Sequence, residues 1–146
     1  MKIGVDIDNV LANTFDELSS HFNRFMGKEY AADEIVYALR ENKFKTFFYN
    51  IDAWKKRVLE GVSPIEEAVQ KIKKWSLEHE IYLVTSRLFI LKNQTKRWLK
   101  KHNIPYNDLF HLKERTKFKK AKEYDIFIED NIDECEIIAD YCPRVF

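Results

Sequence analysis

Two aspartates one residue apart, Asp6 and Asp8, interrupt the apolar run "KIGVDIDNVLANTF". Carboxylates so placed either close a turn or stand at the end of a buried strand as the working end of a site. The theme recurs twice. "EIYLVTSR" ends an apolar run on Thr85, Ser86 and Arg87, and "DIFIEDN" ends another on Glu129 and Asp130. Four carboxylates in one place repel each other and raise one another's pKa unless a cation neutralises them. Oxygen donors with no nearby His or Cys favour Mg²⁺, which keeps several waters and accepts a substrate phosphate as a further ligand. A calcium loop of the EF-hand type is excluded, because Val10 and Leu11 stand where it needs an oxygen ligand and a glycine.

Strands must aim these groups. The first runs from about Lys2 to Ile7, and helical spacing of Phe15, Leu18, Phe22, Phe25 and Met26 follows, closed by Gly27. In "GVSPIEE", Ser63 is expected to start a helix as its cap, with Pro64 at the first position and Glu66 completing a capping box; Ile65, Ala68, Val69, Ile72 and Trp75 form its apolar stripe. "EIYLVTSR" suits a strand buried on both faces, and Leu88–His102 suits a helix with Leu91, Trp98 and Leu99 inside. "IPYNDLFHL" and "DIFIEDN" read as two further strands. A last helix spans about Ile132 to Tyr141, with Ile132, Cys135, Ile138, Ala139 and Cys142 on one face, and "RVF" can add an edge strand. Alternation of strand and helix predicts an α/β fold, a parallel sheet with helices on both faces. In such sheets ligands gather outside the carboxyl ends of the strands, where strand order reverses. All three polar strand ends then meet there.

The helical stretch 15–61 interrupts the first crossover and is expected to form a small cap, leaving 1–14 and 62–146 as the core. At 146 residues, with 45% hydrophobic and 34% charged side chains and only 3 Gly and 3 Pro, the chain has the composition of one folded domain. Its formal net charge of +1 advertises neither a nucleic acid nor a membrane surface. The start of the chain lacks a signal-peptide pattern and no apolar run approaches a membrane span, so cytoplasm is the expected location. Cys135 and Cys142, seven residues apart on a helix, are too distant for a disulfide and read as reduced core residues. The four histidines, His21, His79, His102 and His111, are scattered and take no role.

"DIDNVL" resembles the first motif of the haloacid dehalogenase superfamily, "YLVTSR" its second and "DIFIEDN" its acidic fourth. The helical insertion after the first motif, "SPIEEAVQKIKKW" and "TKRWLKKHNIPYNDL" are similar to the 5'(3')-deoxyribonucleotidase branch. The resemblance implies the Rossmann-like sheet with a cap inserted after the first strand. It implies a Mg²⁺-dependent phosphomonoesterase working through an aspartyl phosphate, with a small phosphorylated substrate, a nucleoside monophosphate above all. Asp6 would be the nucleophile and Asp8 the general acid and base; Thr85 would bind the phosphoryl oxygens. Asp6, Asp8 (through its carbonyl), Glu129 and Asp130 would hold the metal. For the phosphate-binding lysine, counting back from "DIFIED" favours Lys119, with Lys117 next and Lys120 and Lys122 close by.

Ser86 and Arg87 are candidates to touch substrate, Arg87 equally to pair with a surface acid. Phe44 and Trp54 are also candidates to touch substrate, from an aromatic cluster with Phe47, Phe48 and Tyr49 that could stack on a base or simply fill the cap. The basic segment "LKERTKFKKAKE" is a solvated helix face or a track for a polynucleotide backbone. Two rivals follow: a polynucleotide 3'-phosphatase, which the near-zero charge disfavours, and a phosphate-binding domain with little turnover, which would not need both Asp6 and Asp8.

Overall fold

The computed structural model describes residues 1–30, 34–35 and 57–146. Its elements are β1 (Lys2–Val5), α1 (Thr14–Met26), α2 (Val58–Gly61), α3 (Glu66–Trp75), β2 (Glu80–Thr85), α4 (Lys92–Lys101), β3 (Asp108–His111), α5 (Phe118–Ala121), β4 (Ile126–Ile128) and α6 (Ile132–Ala139). The four strands form one sheet in the order β3-β2-β1-β4, with every neighbouring pair parallel. This is the expected α/β sheet, and β1 is central. Strand order reverses between β1 and β4, whose ends carry Asp6 and Glu129.

Alternation along the strands divides the core in two. Ile3 and Val5 of β1 lie opposite Ile81 and Leu83 of β2, and on that face they pack with Val69 and Ile72 of α3 and Trp98 and Leu99 of α4. The other face gathers Val84, Phe127, Tyr124, Ala121 of α5 and Ile138 of α6. Gly4 points to this second side. A Cβ there would meet Tyr124 Cδ2 at 2.5 Å and Phe127 Cδ2 at 2.6 Å, so only a glycine lets both rings close on the central strand.

A local signal marks few of the described helix ends. Gly27 adopts φ 67° and its N–H donates to the Asn23 carbonyl, ending α1 as expected. The capping box at Ser63 does not form: α3 starts at Glu66 without a side-chain cap. The reason is that Ser63–Ile65 pair with the chain leaving β1. Asn13 N–H donates to the Ser63 carbonyl at 2.9 Å, Ile65 N–H donates to the Leu11 carbonyl at 2.8 Å, and the Ser63 N–H is taken by both Glu17 carboxylate oxygens at 3.1 Å. The chain therefore departs at Leu11–Asn13 and returns at Ser63–Ile65 side by side, with an antiparallel bridge between Ala12 and Pro64. About half of the cap expected between them lies outside the described residues.

The helix expected from Leu88 begins as a 3-10 turn, Phe89–Leu91, and continues as α4. There the buried Trp98 donates its Nε1–H to the Val62 carbonyl at 2.6 Å. On α6, Ile138 is buried as expected, but Ile132 and Ala139 are exposed; the Asn131 side chain accepts the Asp133 N–H, turning the first residue of the helix outward. Cys135 and Cys142 are both free thiols. The terminal residues pair beside β4: Phe127 N–H donates to the Arg144 carbonyl and Glu129 N–H to the Phe146 carbonyl, both at 2.9 Å. No helix among the described residues is long and apolar enough to cross a membrane.

Candidate active site

A crevice of about 420 Å³ opens at the carboxyl ends of β1, β2 and β4. Its floor is polar, with Asp6, Asp8, Ser86, Arg87, Lys117, Glu129 and Asp130, and its upper wall is apolar, with Phe15, Leu18 and Phe22 of α1 together with Leu59 and Leu88. Volume and lining are those of a small-molecule site.

Asp6 follows β1 directly, and its N–H donates to the Ile128 carbonyl at 2.9 Å, which extends the β1/β4 ladder up to the acid. The chain then turns sharply. Leu11 and Ala12 both donate to the Ile7 carbonyl, and Asn9 adopts φ 57°. Leu11 and Ala12 are fully buried, so the turn is pinned from below and both Asp6 and Asp8 stay at the crevice.

Lys117 is the lysine at this floor. Its ammonium is buried, 2.9 Å from Asp6 Oδ1 and 2.6 Å from Glu129 Oε2. Lys119, favoured from the sequence, is exposed on α5. The difference comes from the approach to α5: Arg115 takes φ 59°, its N–H is held by the Glu134 carboxylate, and Lys117 arrives at the helix start facing inward.

Burial pushes the Asp6 carboxyl up to about 6; Lys117 opposes the shift and Asp8 adds to it. Burial likewise pushes Glu129 up to about 8, with Asp6 adding and Lys117 opposing. Burial alone would lower the Lys117 pKa, but Asp6 and Glu129 outweigh it and raise it, so the ammonium stays charged. One ammonium thus serves several acids, and the site remains short of positive charge.

Asp8 lives in a different environment. Arg87 donates from Nε to both carboxylate oxygens, at 3.0 and 2.9 Å, and from a terminal nitrogen at 2.7 Å, while Thr14 Oγ1 donates at 2.5 Å. Burial would raise the Asp8 pKa, but Arg87 and Thr14 hold it below the usual carboxylate range. Arg87 is itself fixed. Its guanidinium is 5.8 Å from the Trp98 ring centroid, its N–H donates to Thr85 Oγ1 at 3.1 Å, and its carbonyl pairs with His111 Nδ1 at 3.0 Å.

Thr85, expected at the phosphate, is fully buried and its oxygen accepts that Arg87 N–H; Ser86, next to it, lines the crevice, as do Thr14 and Ser19. Of the expected metal ligands, Asp6, Glu129 and Asp130 each offer a carboxylate oxygen within 4.8 Å of the others; the Asp8 carboxylate pairs with Arg87, which leaves the backbone carbonyl through which Asp8 is expected to bind uninvolved in that pair. Phe44 and Trp54 fall outside the described residues.

The acidic trio fits a hard divalent cation. All three donors are oxygens, and Asp6 Oδ1, although ion-paired with Lys117, is a buried acceptor without an aligned hydrogen bond. Sequence reasoning missed Thr14, Asp8 as the acid that Arg87 pairs with, and the contact of Asn9 Nδ2 with Asp130 Oδ2 at 3.1 Å. Only Asn9 left a readable signal, being an Asn inside a turn that favours the left-handed conformation.

Comparison with known proteins adds the following. The family model of "5' nucleotidase, deoxy (Pyrimidine), cytosolic type C protein" matches residues 1–139. A nucleotidase of Clostridium acetobutylicum is 25% identical over 138 residues, 91% of this chain and 72% of its own. Among solved structures, a Bacillus subtilis HAD-hydrolase bound to magnesium superposes with a TM-score of 0.64 at 13% identity, over 96% of this chain and 84% of the other. A chain of a Pnkp1/Rnl/Hen1 complex superposes with a TM-score of 0.62 at 12% identity, over 99% of this chain but only 45% of its own length.

Proposed function

The chain belongs to the cytosolic type C 5' nucleotidase family of haloacid dehalogenase-fold hydrolases, and from that premise we propose that it is a Mg²⁺-dependent phosphatase of nucleoside monophosphates working through a phosphorylated Asp6. The observation that carries this is the division of labour between two neighbouring carboxylates: Asp6 faces Lys117 and the strand-end acids, while Asp8 is gripped by Arg87 and Thr14.

In the first step an Asp6 oxygen forms a bond to phosphorus as the bond to the leaving alkoxide breaks. Lys117 holds the Asp6 carboxylate ionised and offers its ammonium to the phosphoryl oxygens, while the Ser86 hydroxyl can donate to another. Thr85, bonded to the Arg87 N–H, fixes the turn that presents Ser86. In the second step water attacks phosphorus, Asp8 takes its proton, and the Asp6–phosphorus bond breaks. The grip of Arg87 keeps Asp8 ionised, which suits that base role. Protonating the leaving oxygen in the first step needs the same carboxyl to carry a proton, so one Arg87 contact has to loosen as substrate enters. Asp6, Glu129 and Asp130 would hold Mg²⁺, which when bound would neutralise charge on the phosphoryl oxygens. Residues 15–61 would form the cap, and Phe44 and Trp54, outside the described residues, stay candidates to contact the nucleoside.

A phosphate-release screen tests this, run over nucleoside monophosphates, sugar phosphates and 3'-phosphorylated DNA, with and without Mg²⁺. Release from nucleotides that requires Mg²⁺ and disappears in Asp6→Asn is expected. Release without metal, or an active Asp6→Asn protein, would overturn the mechanism. Preference for 3'-phosphorylated DNA would replace the substrate, and no release at all would leave a binding domain.

A further inference from the structure

The three acids of the candidate cation site are not held alike. Asp6 and Glu129 are buried and share Lys117, whereas Asp130 is exposed. Asp130 Oδ2 instead accepts a hydrogen bond of 3.1 Å from Asn9 Nδ2. The same amide uses its oxygen to accept the Phe15 N–H at 2.9 Å, at the start of α1. Asn9 stands at φ 57°, inside the turn that carries Asp6 and Asp8. One side chain therefore ties the loop after β1, the acid after β4 and the first turn of α1 together.

We infer that Asn9 is a positioning residue that orients the Asp130 carboxylate for the cation. The inference rests on reading Asp6, Glu129 and Asp130 as the metal site. Its physical basis is that an exposed carboxylate rotates freely unless a donor fixes one oxygen, and fixing one oxygen leaves the other aimed at the ion. An asparagine rather than a glycine in a left-handed position then has a purpose: the amide brings both a donor and an acceptor to a turn whose backbone either residue can adopt.

Asn9→Gly tests this cleanly, since glycine keeps the turn and removes only the amide. Mn²⁺ binding to the full chain, followed by electron paramagnetic resonance, reads the site without relying on turnover, and circular dichroism of the metal-free proteins shows that the fold is retained. Asn9→Gly is expected to weaken Mn²⁺ binding by about tenfold or more, as loss of a ligand-orienting contact does elsewhere. In an Asp130→Asn background the same substitution should change affinity little. Wild-type affinity in Asn9→Gly, or an undiminished loss in the Asp130→Asn background, would overturn the inference alone. A wild-type protein that binds no Mn²⁺ would overturn the metal reading and this inference with it.

Discussion

Lys117 sits between Asp6 and Glu129 with its ammonium out of solvent, and none of the three charges would be tolerated there singly. Lys117→Met should lower kcat by about a hundredfold or more, whereas Lys119→Met, a surface change, should alter stability by no more than about 0.5 kcal/mol and leave turnover near wild type. Inactivity of Lys119→Met with an active Lys117→Met protein would reverse the assignment. The acids were legible because each ends an apolar run. The lysine was not, because its direction depends on a left-handed residue at Arg115 and on Glu134, which lies beyond β4 in the sequence. His111 was passed over as a scattered residue, yet it backs Arg87. Burial lowers its pKa, Arg87 and Lys92 add to this, while its bond to the Arg87 carbonyl and the charge of Asp8 oppose. The unfolded chain therefore binds a proton at this position before the folded one does, and stability must fall as pH drops below about 6.5. His111→Gln should flatten that fall, measured as denaturant midpoints between about pH 7 and pH 5. His102, lowered chiefly by burial as well, leaves a remainder. An unchanged slope would exclude His111 as a contributor.

Elements were easier to read than contacts, because periodicity is local and pairing is not. All four strands were expected, β1, β2 and β4 from β-branched, apolar runs and β3 as a short stretch after a turn, and the parallel arrangement followed from the intervening helices. The start of α3 failed for a tertiary reason: Ser63 is recruited by the backbone of Leu11–Asn13 and by Glu17, partners about fifty residues upstream that no local capping rule contains. The central strand carries the sharpest packing constraint. Gly4→Ala would push a methyl group to within 2.6 Å of the Tyr124 and Phe127 rings, so both must shift. A loss of about 1–3 kcal/mol is expected in urea unfolding, with Ile3→Val, on the opposite face, costing about 0.5–1.5 kcal/mol for comparison. A Gly4→Ala protein as stable as wild type would show that this face of the sheet is loosely filled.

For the molecule as a whole, a net charge of +1 gives an anionic substrate no long-range guidance. The kcat/KM for a nucleoside monophosphate at saturating Mg²⁺ should therefore change little with ionic strength, whereas binding along a polynucleotide would weaken by orders of magnitude over the same range. If the acidic trio holds Mg²⁺ as proposed, the ion should raise the melting temperature; at a hundred times its dissociation constant the gain is about 2.7 kcal/mol. Asp130→Asn should shrink that gain, and an unaltered response would place the ion elsewhere. The paired departure and return of the chain at Leu11–Asn13 and Ser63–Ile65 has a wider meaning. The segment that follows Thr14 leaves and returns at one place, where backbone bonds join Leu11–Asn13 to Ser63–Ile65. A segment anchored in this way can lengthen, shorten or be exchanged for another with its two attachment points unchanged. Such a chain can inherit a new substrate preference as a cassette, while the chemistry below is handed down intact.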